Sequence, residues 1–125
     1  MAAVTVITKT AADNNSFESQ GQKGFVDTYA ATMIPALKKG QKEQYVCVDL
    51  TGNSTINAAT VLSNLSQWDK VYFLMTGTGA ARTVTWGTGF LVTAATLVSG
   101  SGKDLVAEFI YDGTALREVS RSILL

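Results

Sequence analysis

Histidine is absent from this chain, and cysteine and proline occur once each among its 125 residues. Each shortage closes a class of chemistry. Without histidine no Ser–His–Asp triad can be built, and the thiol of Cys47 lacks the base that usually activates a cysteine nucleophile. A single cysteine rules out an internal disulfide, and no zinc-type ligand spacing exists without histidine. Cys47 lies in Gln44-Tyr45-Val46-Cys47-Val48-Asp49-Leu50, where it reads as a small apolar residue. The ten carboxylates are scattered and nowhere form the dense acidic loop that calcium prefers. The expectation is no enzyme activity, no cofactor, and no catalytic or metal-ligating residue.

Charge is sparse as well. Charged residues make up 16% of the chain, against about 25% in ordinary soluble proteins. Either part of the surface is covered by other proteins or copies of the chain, or it is a neutral surface solvated by hydroxyls and amides. Ten basic and ten acidic residues cancel. That argues against nucleic acid and against a membrane as partner, since clustered positive charge holds both. Zero net charge also removes long-range repulsion between copies, which permits assembly. No apolar run approaches the roughly twenty residues of a spanning helix. The start, Met1-Ala2-Ala3-Val4, lacks the basic residues of a signal peptide. A cytosol, or a particle assembled there, is the expected location.

What is present is β chemistry. The chain is one domain's worth, enough to bury roughly two-thirds of its unfolded surface. Residues 105–111 and 114–119 read as two strands around Asp112-Gly113, a pair suited to a two-residue type I′ hairpin turn. Residues 43–51 alternate, with Tyr45 and Cys47 opposite Val46, Val48 and Leu50. Residues 70–76 are the most hydrophobic strand and are expected at the centre. Residues 82–86 put Val84 and Trp86 on one face and Thr83 and Thr85 on the other. Residues 2–8, 24–33, 55–57 and 90–98 supply shorter strands. Residues 58–68 are the one helix candidate, with Val61, Leu62 and Leu65 at helical spacing. Residues 9–23 have the Asn, Ser, Gln and Gly content of an arm. Short strands with glycine turns point to an all-β chain. The expected fold is an antiparallel β-sandwich or barrel-like domain with an N-terminal arm and at most one short helix.

Four clusters invite a chemical reading. Glu108 and Glu118, on the two arms of the hairpin, could approach as a glycosidase-like pair, although exposed cross-strand residues have the same pattern. Gly77-Thr78-Gly79-Ala80-Ala81 has glycines like a phosphate loop, but the strand-like Arg82-Thr83-Val84-Thr85-Trp86 follows where a helix is required. Lys38, Lys39 and Lys42 read as a solvated turn, with anion binding as the lesser alternative. Trp68, Tyr72, Phe73, Trp86, Phe90, Phe109 and Tyr111 could stack on sugars or bases. Without a basic groove beside them, they read as core.

Three segments occur in order: Leu50-Thr51-Gly52-Asn53-Ser54-Thr55-Ile56, then Gly79-Ala80-Ala81-Arg82-Thr83-Val84-Thr85-Trp86-Gly87, then Phe109-Ile110-Tyr111-Asp112-Gly113-Thr114. Over residues 50–121 the chain resembles a β-domain recurrent in tailed-bacteriophage virion proteins: head decoration proteins, head fibres and tail appendages. Leu116 stands where such domains often carry an aromatic, commonly Trp, which weakens sugar recognition through that position. The resemblance implies a virion structural protein. It favours a capsid decoration or cement protein on the outer surface of the head, bound to the major capsid protein and to copies of itself as a homotrimer. The alternative it leaves open is a tail or head-fibre appendage module that binds a carbohydrate or receptor. Residues 46–125 would form the β-domain, and residues 1–45, an arm with leading strands, would attach it to the shell.

Overall fold

The computed structural model describes residues 25–94, 96–98 and 101–123; the expected strand at 2–8 and the arm at 9–23 lie outside them. Among the described residues ten strands follow one another: β1 (Phe25–Val26), β2 (Thr32–Met33), β3 (Glu43–Leu50), β4 (Ser54–Ile56), β5 (Lys70–Gly77), β6 (Thr83–Trp86), β7 (Phe90–Leu91), β8 (Thr96–Val98), β9 (Asp104–Tyr111) and β10 (Leu116–Ile123). The helix candidate at 58–68 is a 3-10 helix, Ala59–Asn64. Alternation along β3, β5 and β9 sends every second side chain inward, as a pleated strand with one buried face requires.

The all-β expectation holds, while the antiparallel sandwich or barrel needs correction. Up to β8 the chain winds between two sheets, placing odd-numbered strands in one and even-numbered strands in the other. The larger sheet has the order β1-β3-β5-β9-β10-β7 and the smaller β2-β4-β6-β8. Strands on successive windings lie parallel: β1 with β3, β3 with β5, β2 with β4, and β4 with β6. This stacking is solenoid-like. Among the described residues antiparallel pairing is confined to β5–β9, β9–β10 and β6–β8. The reason is that Gly52-Asn53 and residues 78–82 are corners that carry the chain to the opposite sheet. They are not hairpins, and parallel neighbours need such crossovers. Residues 25–45 contribute β1, β2 and the start of β3 to these same sheets.

The core lies between the sheets. Phe73, Trp86, Phe90 and Phe109 form a cluster with ring centroids 4.9–5.9 Å apart, mostly edge to face, the arrangement ring quadrupoles favour. Val46, Leu50, Val71, Met75 and Leu105 are fully buried around it. Gln44 is a polar residue buried beside them. Its amide nitrogen donates to the Lys38 carbonyl (3.1 Å) and its oxygen accepts from the Lys38 N–H (2.8 Å), so the burial leaves no unpaired group.

Candidate functional site

The first two segments of the resemblance lie side by side as β4 and β6, with Ser54, Thr55 and Ile56 opposite Val84, Thr85 and Trp86. Two asparagines bracket β4 and fasten it to the next winding. Asn53 Oδ1 accepts the Thr83 N–H (2.9 Å), and Asn57 Oδ1 accepts the Thr88 N–H (3.0 Å). Gly87 suits this close approach, because a Cβ there would collide with Asn57 Oδ1 and crowd the Ile56 carbonyl. In the other direction Ser54 Oγ donates to the Ala30 carbonyl (2.7 Å). Thr32, Thr55, Thr85 and Thr96 are register partners across the whole smaller sheet. Such rows of cross-strand threonine pairs stabilise a sheet by fractions of a kcal/mol per pair. These motif residues are fasteners.

The third segment forms the β9–β10 hairpin, whose turn differs from the expected one. Leu116 pairs with Tyr111, leaving residues 112–115 as a four-residue loop, and only Gly113 there has positive φ (+97°). The Asp112 carboxylate accepts the N–H groups of Thr114 and Ala115, both at 2.8 Å. That side-chain turn replaces the I′ geometry, because it holds the backbone without forcing Asp112 into positive φ. The Ala115 N–H, the Arg117 guanidinium and the Thr114 N–H hold the Asp112 carboxyl down at about 2. Gly113→Val should destabilise the protein by about 1–3 kcal/mol, because a β-branched residue is strained at this φ. The neighbouring Gln67 side chain is no closer than 3.8 Å to the added Cβ, so the loss isolates the backbone effect. Denaturant melts of parent and mutant check it, and equal midpoints would refute the required φ.

Beside this turn is the one non-glycine residue with positive φ among the described residues, Trp68 (φ +77°). The Asp69 N–H donates to the Ser66 carbonyl (3.0 Å), which makes Trp68 the third residue of a type II turn, a position suited to Gly or Asn. The turn is tied to the hairpin by the Trp68 N–H on the Tyr111 carbonyl (2.6 Å) and the Tyr111 N–H on the Asp69 carbonyl (2.8 Å). Buried Asp69 (4% exposed) closes the turn by accepting the Ser66 N–H. The backbone thus dictates the conformation, at a strain of about 1–3 kcal/mol for a bulky residue. The side chain is largely outside the core, Trp68 being 61% exposed. The sequence reading of Trp68 as core, made for want of a basic groove beside the aromatics, is corrected by this exposure.

The remaining candidates separate. Glu108 faces outward between Tyr72 and Ser120, whereas Glu118 sits at the register of buried Phe109, so the two carboxylates lie on opposite faces and form no pair. Glu118 instead binds Arg121, whose Nη2 is 2.8 Å from Glu118 Oε1. Arg121 also donates to the carbonyls of Ala94 and Thr96 (both 2.9 Å), and Glu118 accepts the Thr93 N–H (3.0 Å). This clamp straps the crossing from β7 to β8 onto β10. After Gly77 comes β6, not a helix, and Arg82 closes that corner on the Thr78 carbonyl (2.7 and 3.0 Å). Lys38, Lys39 and Lys42 are exposed. Of the seven aromatics, Phe73, Trp86, Phe90 and Phe109 are buried and Tyr111 packs against the core. Tyr72 stacks on Tyr45 on the outer face of the larger sheet (4.8 Å, 14°). Its phenol is pushed up by burial and then by the Glu108 carboxylate. Cys47 is half-buried on that face, and burial pushes its thiol up, which disfavours the reactive thiolate.

Among the described residues no group of three or more His, Cys, Asp or Glu could hold a metal ion, and no helix is long and apolar enough to cross a membrane. Comparison of the chain with protein-family models and with curated proteins gives no match.

Proposed function

We propose that this chain is a structural protein of a tailed-bacteriophage virion, a decoration or cement protein on the outer surface of the head, assembled in the host cytoplasm. The reading rests on the ordered trio of segments. Its support from geometry is that all three serve to fasten backbone: Asn53 and Asn57 join windings, and Asp112 ties its turn. A protein whose polar side chains are spent on holding its own shape suits a scaffold more than a catalyst. Low charge content and zero net charge suit contact with neutral protein surfaces. The partners are the major capsid protein and copies of the chain itself, as a trimer. No nucleic acid or membrane takes part.

In this proposal residues 1–45 hold the protein to the shell, the arm before β1 making the contacts while β1 and β2 tie it into the two sheets. Three arms on one trimer would bind at high effective concentration, turning weak single contacts into durable attachment. Deleting residues 1–23 should leave a folded protein that no longer adds to bare capsids. Circular dichroism checks the fold, and co-sedimentation with capsids reads the binding. A truncated protein that still decorates capsids to full occupancy would remove the arm from its assigned role.

A further inference from the structure

Among the described residues β2 ends the smaller sheet, and a sheet edge is a template for one more strand. The carbonyls of Ala31 and Met33 accept the N–H groups of Thr55 and Asn57 (both 2.9 Å). By alternation the backbone groups of Thr32 are directed away from β4, towards the edge. Ile34, which directly follows β2, is a large hydrophobic side chain that is 57% exposed. The windings have a definite length. Val46 stands 21 residues after its partner Phe25, Thr55 23 after Thr32, Phe73 27 after Val46 and Thr85 30 after Thr55. The same interval before Thr32 falls on residues 2–11, the stretch that contains Val4-Thr5-Val6-Ile7.

We propose that the edge of β2 is the docking surface for residues 4–7 of the same chain, which add to it as a parallel strand with Thr5 opposite Thr32. Three observations select that register. Thr5 lies between Val4 and Val6 as Thr55 lies between buried Ser54 and Ile56, and Thr85 between buried Val84 and Trp86. It would extend the row Thr32-Thr55-Thr85-Thr96 by one hydroxyl. Val6 would then lie beside buried Met33 and Ile7 beside exposed Ile34, covering apolar surface through cross-strand contact. The other threonines of the stretch, Thr8 and Thr10, are each next to Lys9, and pairing either with Thr32 would turn that charge inward. The occupant is the chain's own segment because residues 8–24 connect it to β1. The crossings 34–42 and 57–69 lead from the smaller sheet to the larger in fewer residues. The connection therefore reaches without strain, and tethering raises the effective concentration of the segment. Docking of this kind closes the first winding of the solenoid-like stack and leaves residues 8–23 for contact with a shell. It does not depend on the proposed function.

Hydrogen exchange and a cross-link test it on the folded protein. In the full chain the Thr32 amide should be protected, and deleting residues 1–7 should speed its exchange roughly tenfold or more. That deletion removes one edge strand and leaves the core whole. Circular dichroism should still report a β fold, melting lower by on the order of 5 °C. Independently of the deletion, Thr5→Cys with Thr32→Cys, in a Cys47→Ser background, should oxidise to a disulfide within one chain. Neighbouring strands lie about 4.8 Å apart, inside the Cα separation a disulfide spans. Val4→Cys with Thr32→Cys should stay reduced, because successive side chains point to opposite faces. Equal exchange of the Thr32 amide in the full and shortened chains would overturn the docking, as would a Thr5→Cys, Thr32→Cys protein that stays reduced. Equal closure by the Val4→Cys variant would overturn the register. A disulfide that joins two chains would assign the edge to a neighbouring copy's segment and overturn its occupation from within the chain.

Discussion

Phe73→Ala is expected to be among the most damaging single substitutions, lowering stability by about 3–5 kcal/mol, the usual cost of emptying an aromatic site in a packed core. Phe73 is fully buried at the centre of β5 and touches the rings of Trp86, Phe90 and Phe109. Those rings come from β6, β7 and β9, so the void cannot collapse without moving several strands from both sheets. Against a total of about 5–15 kcal/mol for a small domain, the melting temperature should fall by on the order of 15 °C. Its neighbour is the control. Tyr72 points outward, where it stacks on Tyr45 and meets Glu108, so Tyr72→Ala should cost about 1 kcal/mol. A one-residue slip in register would exchange the two faces. If Tyr72→Ala proves the more damaging, β5 is facing the wrong way in this account.

Arg121→Ala is the second large loss, at about 3 kcal/mol. The substitution removes the donors to Ala94 and Thr96 and strands the Glu118 carboxylate, whose side chain is 7% exposed. An unpaired buried charge of this kind costs more than the pair contributed. The same pair sets an acid dependence. The Arg121 guanidinium, and then the N–H of Thr93, holds the Glu118 carboxyl at about 2, below its ordinary 4.5. A carboxyl depressed on folding stabilises the protein above its unfolded pKa, and the benefit is lost as pH falls through the folded one. The contribution is therefore whole above about pH 4.5, declines below it and is gone near pH 2. Denaturant melts across that window should show the parent losing on the order of 2 kcal/mol more than Glu118→Gln. Parallel acid limbs for the two proteins would mean that Glu118 and Arg121 are not paired in solution.

Much of the layering was legible in the sequence, because period-two alternation marks which side chains turn inward. Val46, Val48 and Leu50 share a buried face, Val84 and Trp86 share another, and the run at 70–76 lies at the centre of its sheet with Val71, Phe73 and Met75 turned inward. Strand direction was not legible. Alternation is identical in parallel and antiparallel strands, and Gly52-Asn53 can close a hairpin or turn a corner to another sheet. The signal that could have told them apart is the asparagine pair at 53 and 57, flanking three strand residues, matched by Thr83 and Thr88 around β6. Asp112-Gly113 was read through its φ preference alone, whereas the Asp112 side chain offers the backbone a second way to turn.

The clamp was hidden for a different reason. Residues three apart on a regular strand point to opposite faces, so Glu118 and Arg121 do not look like partners. The register shift between Glu118 and Ser120 inserts one extra residue and brings both side chains to one face. A bulge of this kind re-aims side chains and bends an edge away from unwanted pairing. Trp68 was missed because nothing about tryptophan predicts a position suited to glycine. Only the backbone bonds to Tyr111 and Asp69 reveal it.

Electron microscopy of purified particles bears most directly on the proposed identity of the chain as a head decoration protein. The expected result is density for the ten-stranded β-domain on the outer surface of the head, in groups of three at local three-fold positions of the capsid lattice. Particles whose heads are bare of it, or that carry it only at the tail, would contradict that identity.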